Sequence, residues 1–238
     1  MNNTFYSDSR SSAGPNREQN LLIGISKHLY FLKDGSLKYQ QKIIDERLPG
    51  NKRLITRFVL LDVDTGTVYG ECHEASAAKD LIGFLARAWA KKPNHPMRGF
   101  PGILNTPKIV RTDSQYAADV DFVLRHSNLQ IGDLPSGFTA GIHAVKQFDT
   151  EVKSLIWGTV VRDMPPPDIF MVQACSALVS ANASNFFSYT WQEKWNAIEQ
   201  PSQSFFDAVD KLYESIGAWR DGPYDLILNG MNTDTSEN

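Results

Sequence analysis

The sequence predicts an α/β domain: a mixed five-stranded sheet flanked by helices, followed by a C-terminal helical extension. Three observations carry this. Residues 53–63 (Arg-Leu-Ile-Thr-Arg-Phe-Val-Leu-Leu-Asp-Val) and 67–73 (Thr-Val-Tyr-Gly-Glu-Cys-His) flank Asp64-Thr65-Gly66 and read as an antiparallel hairpin. Leu81, Ile82, Leu85, Ala86 and Trp89 then recur at helical spacing. From residue 108 onward, short apolar runs alternate with amphipathic ones, the pattern of strands and helices in turn.

Taken in order, residues 1–20 are polar and read as a disordered tail. Residues 21–33 are apolar and β-prone around His28-Leu29-Tyr30-Phe31-Leu32, the first strand. Asp34-Gly35 is either a tight turn or part of a longer bent strand continuing through Leu37 and Tyr39. Residues 40–52 are charged and end in Pro49-Gly50-Asn51, an exposed excursion. After the 53–63/67–73 hairpin, Ser76 is placed to cap the helix that carries Leu81 to Trp89. Residues 93–107 hold four prolines and two glycines and read as an irregular loop.

Ile109-Val110-Arg111-Thr112-Asp113 reads as a short buried strand at 108–112 ending in a carboxylate, with a helix from Ser114 to about 126. Val120, Val123 and Leu124 would face inward. A carboxylate at the carboxyl edge of a strand sits where open α/β sheets keep their chemistry. Asp113 can equally cap the helix that follows through its side-chain oxygen. Leu129-Gln130-Ile131 is a fifth strand, and Ile142, Val145, Phe148, Val152 and Leu155 form the apolar stripe of a helix over about 139–157. Beyond Pro165-Pro166-Pro167, helical stretches at 168–198 and 202–219 carry Phe186, Phe187, Trp191, Trp195, Phe205, Phe206 and Trp219. These aromatics are core, or in part a partner or base-stacking surface. The domain boundaries implied are 21–160 for the α/β unit, 161–229 for the helical extension and 230–238 for a second tail.

The net charge of −3 and pI of about 6.0 argue mildly against a stand-alone nucleic-acid binder, unless charge is segregated by face. The most basic window is 87–111, with Arg87, Lys91, Lys92, Arg98, Lys108, Arg111 and no acid. It is either a solvated helix end and loop or a basic patch. No apolar run is long enough for a membrane span, and no signal peptide is visible. Cys72 and Cys175 make neither a metal spacing nor a disulfide framework, so reduced thiols and a cytoplasmic location are expected. His73 and His143 stand alone and read as hydrogen-bonders rather than ligands.

This order of elements resembles the ribonuclease-H-like catalytic domain of retroviral integrases and DDE transposases, over roughly residues 28–157. Val63-Asp64-Thr65-Gly66-Thr67-Val68-Tyr69-Gly70 resembles the family's second-strand turn and Gly-bearing third strand. Arg111-Thr112-Asp113-Ser114 resembles its strand-four motif, with Ser114-Gln115 in place of Asn-Gly. Gly141 to Leu155 resembles the helix that brings the third acid. The resemblance implies carboxylates on strand one, after strand four and on the late helix. They would hold two divalent ions about 4 Å apart for in-line phosphoryl displacement.

Asp34 takes the first place, as the acid of the first strand, and Asp113 the second. Lys146 stands at the family's Glu, and a charged Lys cannot ligate Mg²⁺. Asp149 lies one turn further on the same side and at the family's separation from Asp113, so either Asp149 is the third ligand or the third acid is lost. Asp62 is structural in this scheme, and Lys146, Lys153 and Arg111 would face the nucleic-acid backbone. The implied activity is Mg²⁺- or Mn²⁺-dependent strand transfer or cleavage on DNA. The alternative is a catalytically inactive integrase-like protein that binds DNA or protein within a larger complex. An unrelated α/β protein is the third reading. No zinc-binding pattern accompanies the domain, so a protein partner or a homo-oligomer is expected, and no membrane.

Overall fold

The computed structural model describes residues 14–33, 36–43, 52–75, 80–92, 95–136, 141–161 and 189–216. Its centre is the strand β1 (Glu18–Leu32), to which β2 (Leu37–Tyr39) returns in a hairpin and β3 (Lys52–Asp62) lies antiparallel. β4 (Val68–Glu74) pairs antiparallel with β3. Then come α1 (Leu81–Trp89), β5 (Ile103–Thr106), α2 (Lys108–Thr112), α3 (Ser114–Arg125), β6 (Gln130–Asp133) and α4 (Ile142–Val161). Two further helices follow, α5 (Tyr189–Asn196) and α6 (Gln203–Ile216). The sheet is mixed, open and six-stranded, in the order β4-β3-β1-β5-β6 with β2 on β1. β5 runs parallel to β1, and β6 parallel to β5.

β1 serves two neighbours on one edge. Glu18 to Asn20 pair with β5, whereas Leu29 to Phe31 pair with β2. Between these halves lies a bulge from Ile25 to Tyr30, where the Ser26 hydroxyl accepts from the backbone N–H groups of His28 (3.4 Å) and Leu29 (3.1 Å). Such a bulge bends the strand and re-aims its side chains.

Five expectations change. The sheet has six strands rather than five, because the segment after Asp34-Gly35 pairs back on β1 as the separate strand β2. The fourth long-range strand is Ile103–Thr106, inside the stretch read as a loop, and 108–112 is the helix α2. Pro107 has no N–H to give to a ladder and stands at the helix N-cap, while Ile109 stays exposed, so the apolar pair is too short to form a buried strand. The polar segment 14–20 is ordered rather than part of a tail. Its polar groups have buried partners: the Asn16 N–H meets Asp62 Oδ2 at 2.8 Å, and Gln19 Oε1 receives Trp89 Nε1 at 3.0 Å. α1 starts at Leu81 on the carboxylate of Asp80, which accepts from the Gly83 N–H at 3.0 Å; Ser76 lies outside the described residues. On α3, Tyr116 and Phe122 are buried with Val120 and Val123, whereas Leu124 is exposed.

Alternation along the strands splits the core in two. Phe58 and Leu60 of β3, Tyr69 of β4 and Leu104 of β5 face α1, α3 and α6. Ile55 and Val59 of β3, with Val68 and Cys72 of β4, face Ala144, Phe148, Val152 and Ile156 of α4. At Gly70 the ring of Phe148 lies so close that a Cβ would sit 2.8 Å from it, so α4 seats directly on sheet backbone. Trp195, Phe205 and Phe206 are core, as expected; Phe186, Phe187, Trp219 and Cys175 lie outside the described residues, and so does the side chain of Trp191. No helix among the described residues is long and apolar enough to cross a membrane.

Candidate functional site

Of the three acids assigned from the sequence, the two that are described, Asp113 and Asp149, do not come together. Asp113 is the N-cap of α3, accepting from the N–H groups of Gln115 (3.1 Å) and Tyr116 (3.4 Å), the helix-capping role that sequence left open beside the catalytic one. Asp149 is ion-paired with Arg57 of β3. Burial pushes the Asp149 carboxyl above its ordinary range, against the pull of that guanidinium. α3 packs on the Phe58 face of the sheet and α4 on the Val59 face, so Asp113 and Asp149 belong to helices on opposite sides. Asp34 lies outside the described residues. Its flanks, Leu32 and Ser36, close the β1–β2 turn, with the Leu32 N–H on the Ser36 carbonyl. Leu32 is twelve residues along β1 from Asn20, the last residue to pair with β5; that is at most about 40 Å of extended strand. Among the described residues no group of three or more His, Cys, Asp or Glu side chains could hold a metal ion.

What stands where β1 meets β5 is a set of amides. Asn20 and Asn105 are register partners on adjacent parallel strands, both buried. The Asn105 Nδ2 donates to Asn20 Oδ1 at 2.8 Å and to Glu18 Oε1 at 2.6 Å. Gly132 of β6 is the next partner across, and a Cβ there would sit 2.1 Å from Asn105 Oδ1. The amide therefore fills the space that a larger residue at 132 would take. Sequence reading missed both residues, because Asn20 was placed in a tail and Asn105 in a loop. The available signal was a short run with two β-branched residues, Ile103-Leu104-Asn105-Thr106, bounded by Gly102 and Pro107.

Elsewhere the buried charges are tied into the fold. Arg87 grips Glu71 with both arms (Nε–Oε1 2.9 Å, Nη2–Oε2 2.8 Å) and reaches Asp80 at 2.9 Å. The Tyr69 hydroxyl and His73 Nε2 complete Glu71 at 2.7 Å each, and the Tyr213 hydroxyl donates to Asp80. Burial alone would raise the Glu71 carboxyl. The charge of Arg87 and the bonds from His73 and Arg87 overcome this and hold it well below the carboxylate range. Asp119 accepts from the Leu81 and Ile82 N–H groups at the start of α1; burial, with repulsion from Asp80, pushes it up to about 7. Asp62 is structural: it accepts from the Asn16 and Thr65 N–H groups and the Thr65 hydroxyl (2.6 Å), which fixes the β3–β4 turn, and burial raises it to about 6. Gly66, with φ of 71°, completes that turn.

Four of the six cations of the window 87–111 have partners within the protein, while Lys91 and Lys108 are exposed. Arg87 is spent on Glu71, and Lys92 donates to the Ala88, Ala90 and Met97 carbonyls at 2.5, 2.9 and 2.6 Å. Arg98 bonds the Pro96 carbonyl and Asn196, and Arg111 pairs with Asp133. Of the other residues proposed to face a nucleic acid, Lys146 is exposed on α4, while the Lys153 ammonium lies 4.7 Å from the ring centre of Tyr39 and 4.4 Å from that of Trp157. His143 is exposed. Neither the protein-family models nor the curated proteins compared with this chain match it.

Proposed function

We propose that this chain is a ribonuclease-H-like, integrase-type domain without a catalytic metal centre, working as a binding component of a nucleic-acid-handling complex. The strand order supports the fold reading: three antiparallel strands β1, β3 and β4, then β5 and β6 parallel to β1, with a long helix crossing one face. The observation that carries the functional reading is the Asn20–Asn105 pair. The resemblance implies a carboxylate on strand one and another after strand four, and at the junction of those strands here the side chains are neutral amides bonded to each other. Mg²⁺ takes hard, preferably anionic oxygen ligands in near-octahedral geometry. One carboxylate, Glu18, and two mutually satisfied amides do not fit that demand.

The test is thermal melting of the wild type and of Asp113→Asn with Mg²⁺ or Mn²⁺, beside a plasmid-nicking assay. The expected result is no cation-dependent rise in either melt and no nicking. A Mn²⁺-dependent rise lost in Asp113→Asn, or nicking abolished by Asp149→Ala, overturns the reading.

A further inference from the structure

We propose that the end of the sheet formed by the second half of β1, β2 and the start of β3, together with the C-terminal half of α4, binds single-stranded nucleic acid, with Trp157 and Tyr39 as its stacking platform. The proposal rests on the non-catalytic reading only in supplying that reading with a partner.

Charge is the first support. The chain as a whole is net negative, yet residues 27–57 hold eight Lys and Arg against three Asp and Glu. Of these, Lys27, Lys33 and Lys42 are exposed, and Lys38 is half-exposed on the short edge strand β2. The acids of α4 are Asp149, tied to Arg57, and Glu151. A cationic end on an acidic protein is charge segregated by face, the footprint of a polyanion partner.

Aromatic placement is the second. Trp157 is 56% exposed, the largest side chain so left among the described residues, and one turn after Lys153 on α4. Tyr39 meets it edge-on at 6.2 Å, and His28 lies 6.0 Å beyond Tyr39. The Lys153 ammonium sits against both the Tyr39 and Trp157 rings, so the rings are held in place with a cation already beside them. On the other face of the same strands, Lys52 lies 4.4 Å from the Tyr30 ring centre. Fixed aromatic rings interleaved with lysines match the chemistry of an unpaired strand, whose bases need π-faces and whose phosphates need cations. A duplex hides its base faces, so it can use the cations but not Trp157. The β1 bulge positions this end: without it, the strand past Ile25 would keep its earlier face and register.

The experiment is fluorescence anisotropy on the full chain with a short labelled oligothymidylate, an oligouridylate of equal length and a duplex. Both single strands should bind, with affinity falling steeply as salt rises, and the duplex more weakly. Trp157→Ala should weaken single-strand binding about tenfold, with Trp157→Phe recovering most of it. Lys33→Glu/Lys42→Glu should lower both affinity and salt slope, whereas Lys108→Glu on α2 should change neither. Circular dichroism melts confirm that the variants are folded. Absence of single-strand binding at low salt, a preference for the duplex, or affinity untouched by Trp157→Ala overturns the proposal, including the case where another part of this chain covers the ring. None of these outcomes depends on a divalent metal ion, so the surface can fail while the non-catalytic reading stands. A metal-dependent melt or nicking fails that reading and leaves the surface intact.

Discussion

Two basic stretches of this chain differ in how many of their cations the fold takes up. Residues 87–111 carry six cations and no acid, yet four of them, Arg87, Lys92, Arg98 and Arg111, are engaged within the protein, and Lys91 and Lys108 are left exposed. Residues 27–57 are less uniformly basic in sequence, yet Lys27, Lys33 and Lys42 stand outward at one end of the sheet. The difference is set by partners far away in the chain. Glu71 on β4 faces α1, Asp133 ends β6, and Asn196 ends α5. Linear charge density therefore counts cations, and only the fold decides which of them a partner can reach.

The sharpest way to break the comparison is to remove Arg87. If that cation belongs to the interior, Arg87→Met leaves Glu71 buried without its counter-charge and should cost about 3–5 kcal/mol, read as a lower urea midpoint. A change typical of exposed sites would mean that Arg87 is a surface residue and that the two stretches do not differ. Next in size is Lys92→Met, which strips the donor from the Ala88 and Ala90 carbonyls at the end of α1 and from the Met97 carbonyl of the loop beyond it. A loss of about 1–3 kcal/mol is expected. Burial also holds the Lys92 ammonium pKa well below its ordinary value.

The acids that answer the interior cations give a pH signature. Glu71 is depressed, so its stabilisation is complete above the ordinary carboxylate range and is lost only in strong acid. Asp119 is raised to about 7, which has the opposite sign: the folded state holds a proton that the unfolded state releases near pH 4. Stability should therefore decline as pH rises from about 4 to 7 on its account. Asp119→Asn, which keeps an oxygen for the Leu81 and Ile82 N–H groups, should flatten that part of the stability–pH curve measured by urea unfolding. An unchanged curve would mean that Asp119 is not desolvated against α1.

Elements with strong periodicity were legible in the sequence. The β3–β4 hairpin, the apolar face of α1 and the stripe of α4 follow from spacing, because each buries a regular face. Segments whose polarity is satisfied inside were not. Asn16, Gln19 and Asn20 looked like a tail because composition reports polarity but not its partners. Asn105 looked like loop because prolines and glycines surround a four-residue strand whose two neighbours are remote in sequence. Asp113 showed both of its readings in advance, and the geometry supplies the cap. The aromatic–lysine end was hidden for a different reason: His28, Tyr39, Lys153 and Trp157 come from three elements, and no window contains them all.

The smallest effect is expected at that outward-facing end, and its smallness is the point. Lys27→Glu/Lys33→Glu/Lys42→Glu reverses three exposed cations that touch none of the buried network. Surface substitutions away from caps, strain and buried partners usually fall within about ±0.5 kcal/mol each, so the urea midpoint should stay near that of the wild type. The same three changes convert a cationic end into an anionic one and should abolish single-strand binding at moderate salt, since the phosphate contacts dominate such affinity. A large drop in stability would show that these lysines, like Arg87 and Lys92, are consumed by the fold. In that case the two basic stretches would be alike, and the outward-facing charge would not be available to any partner.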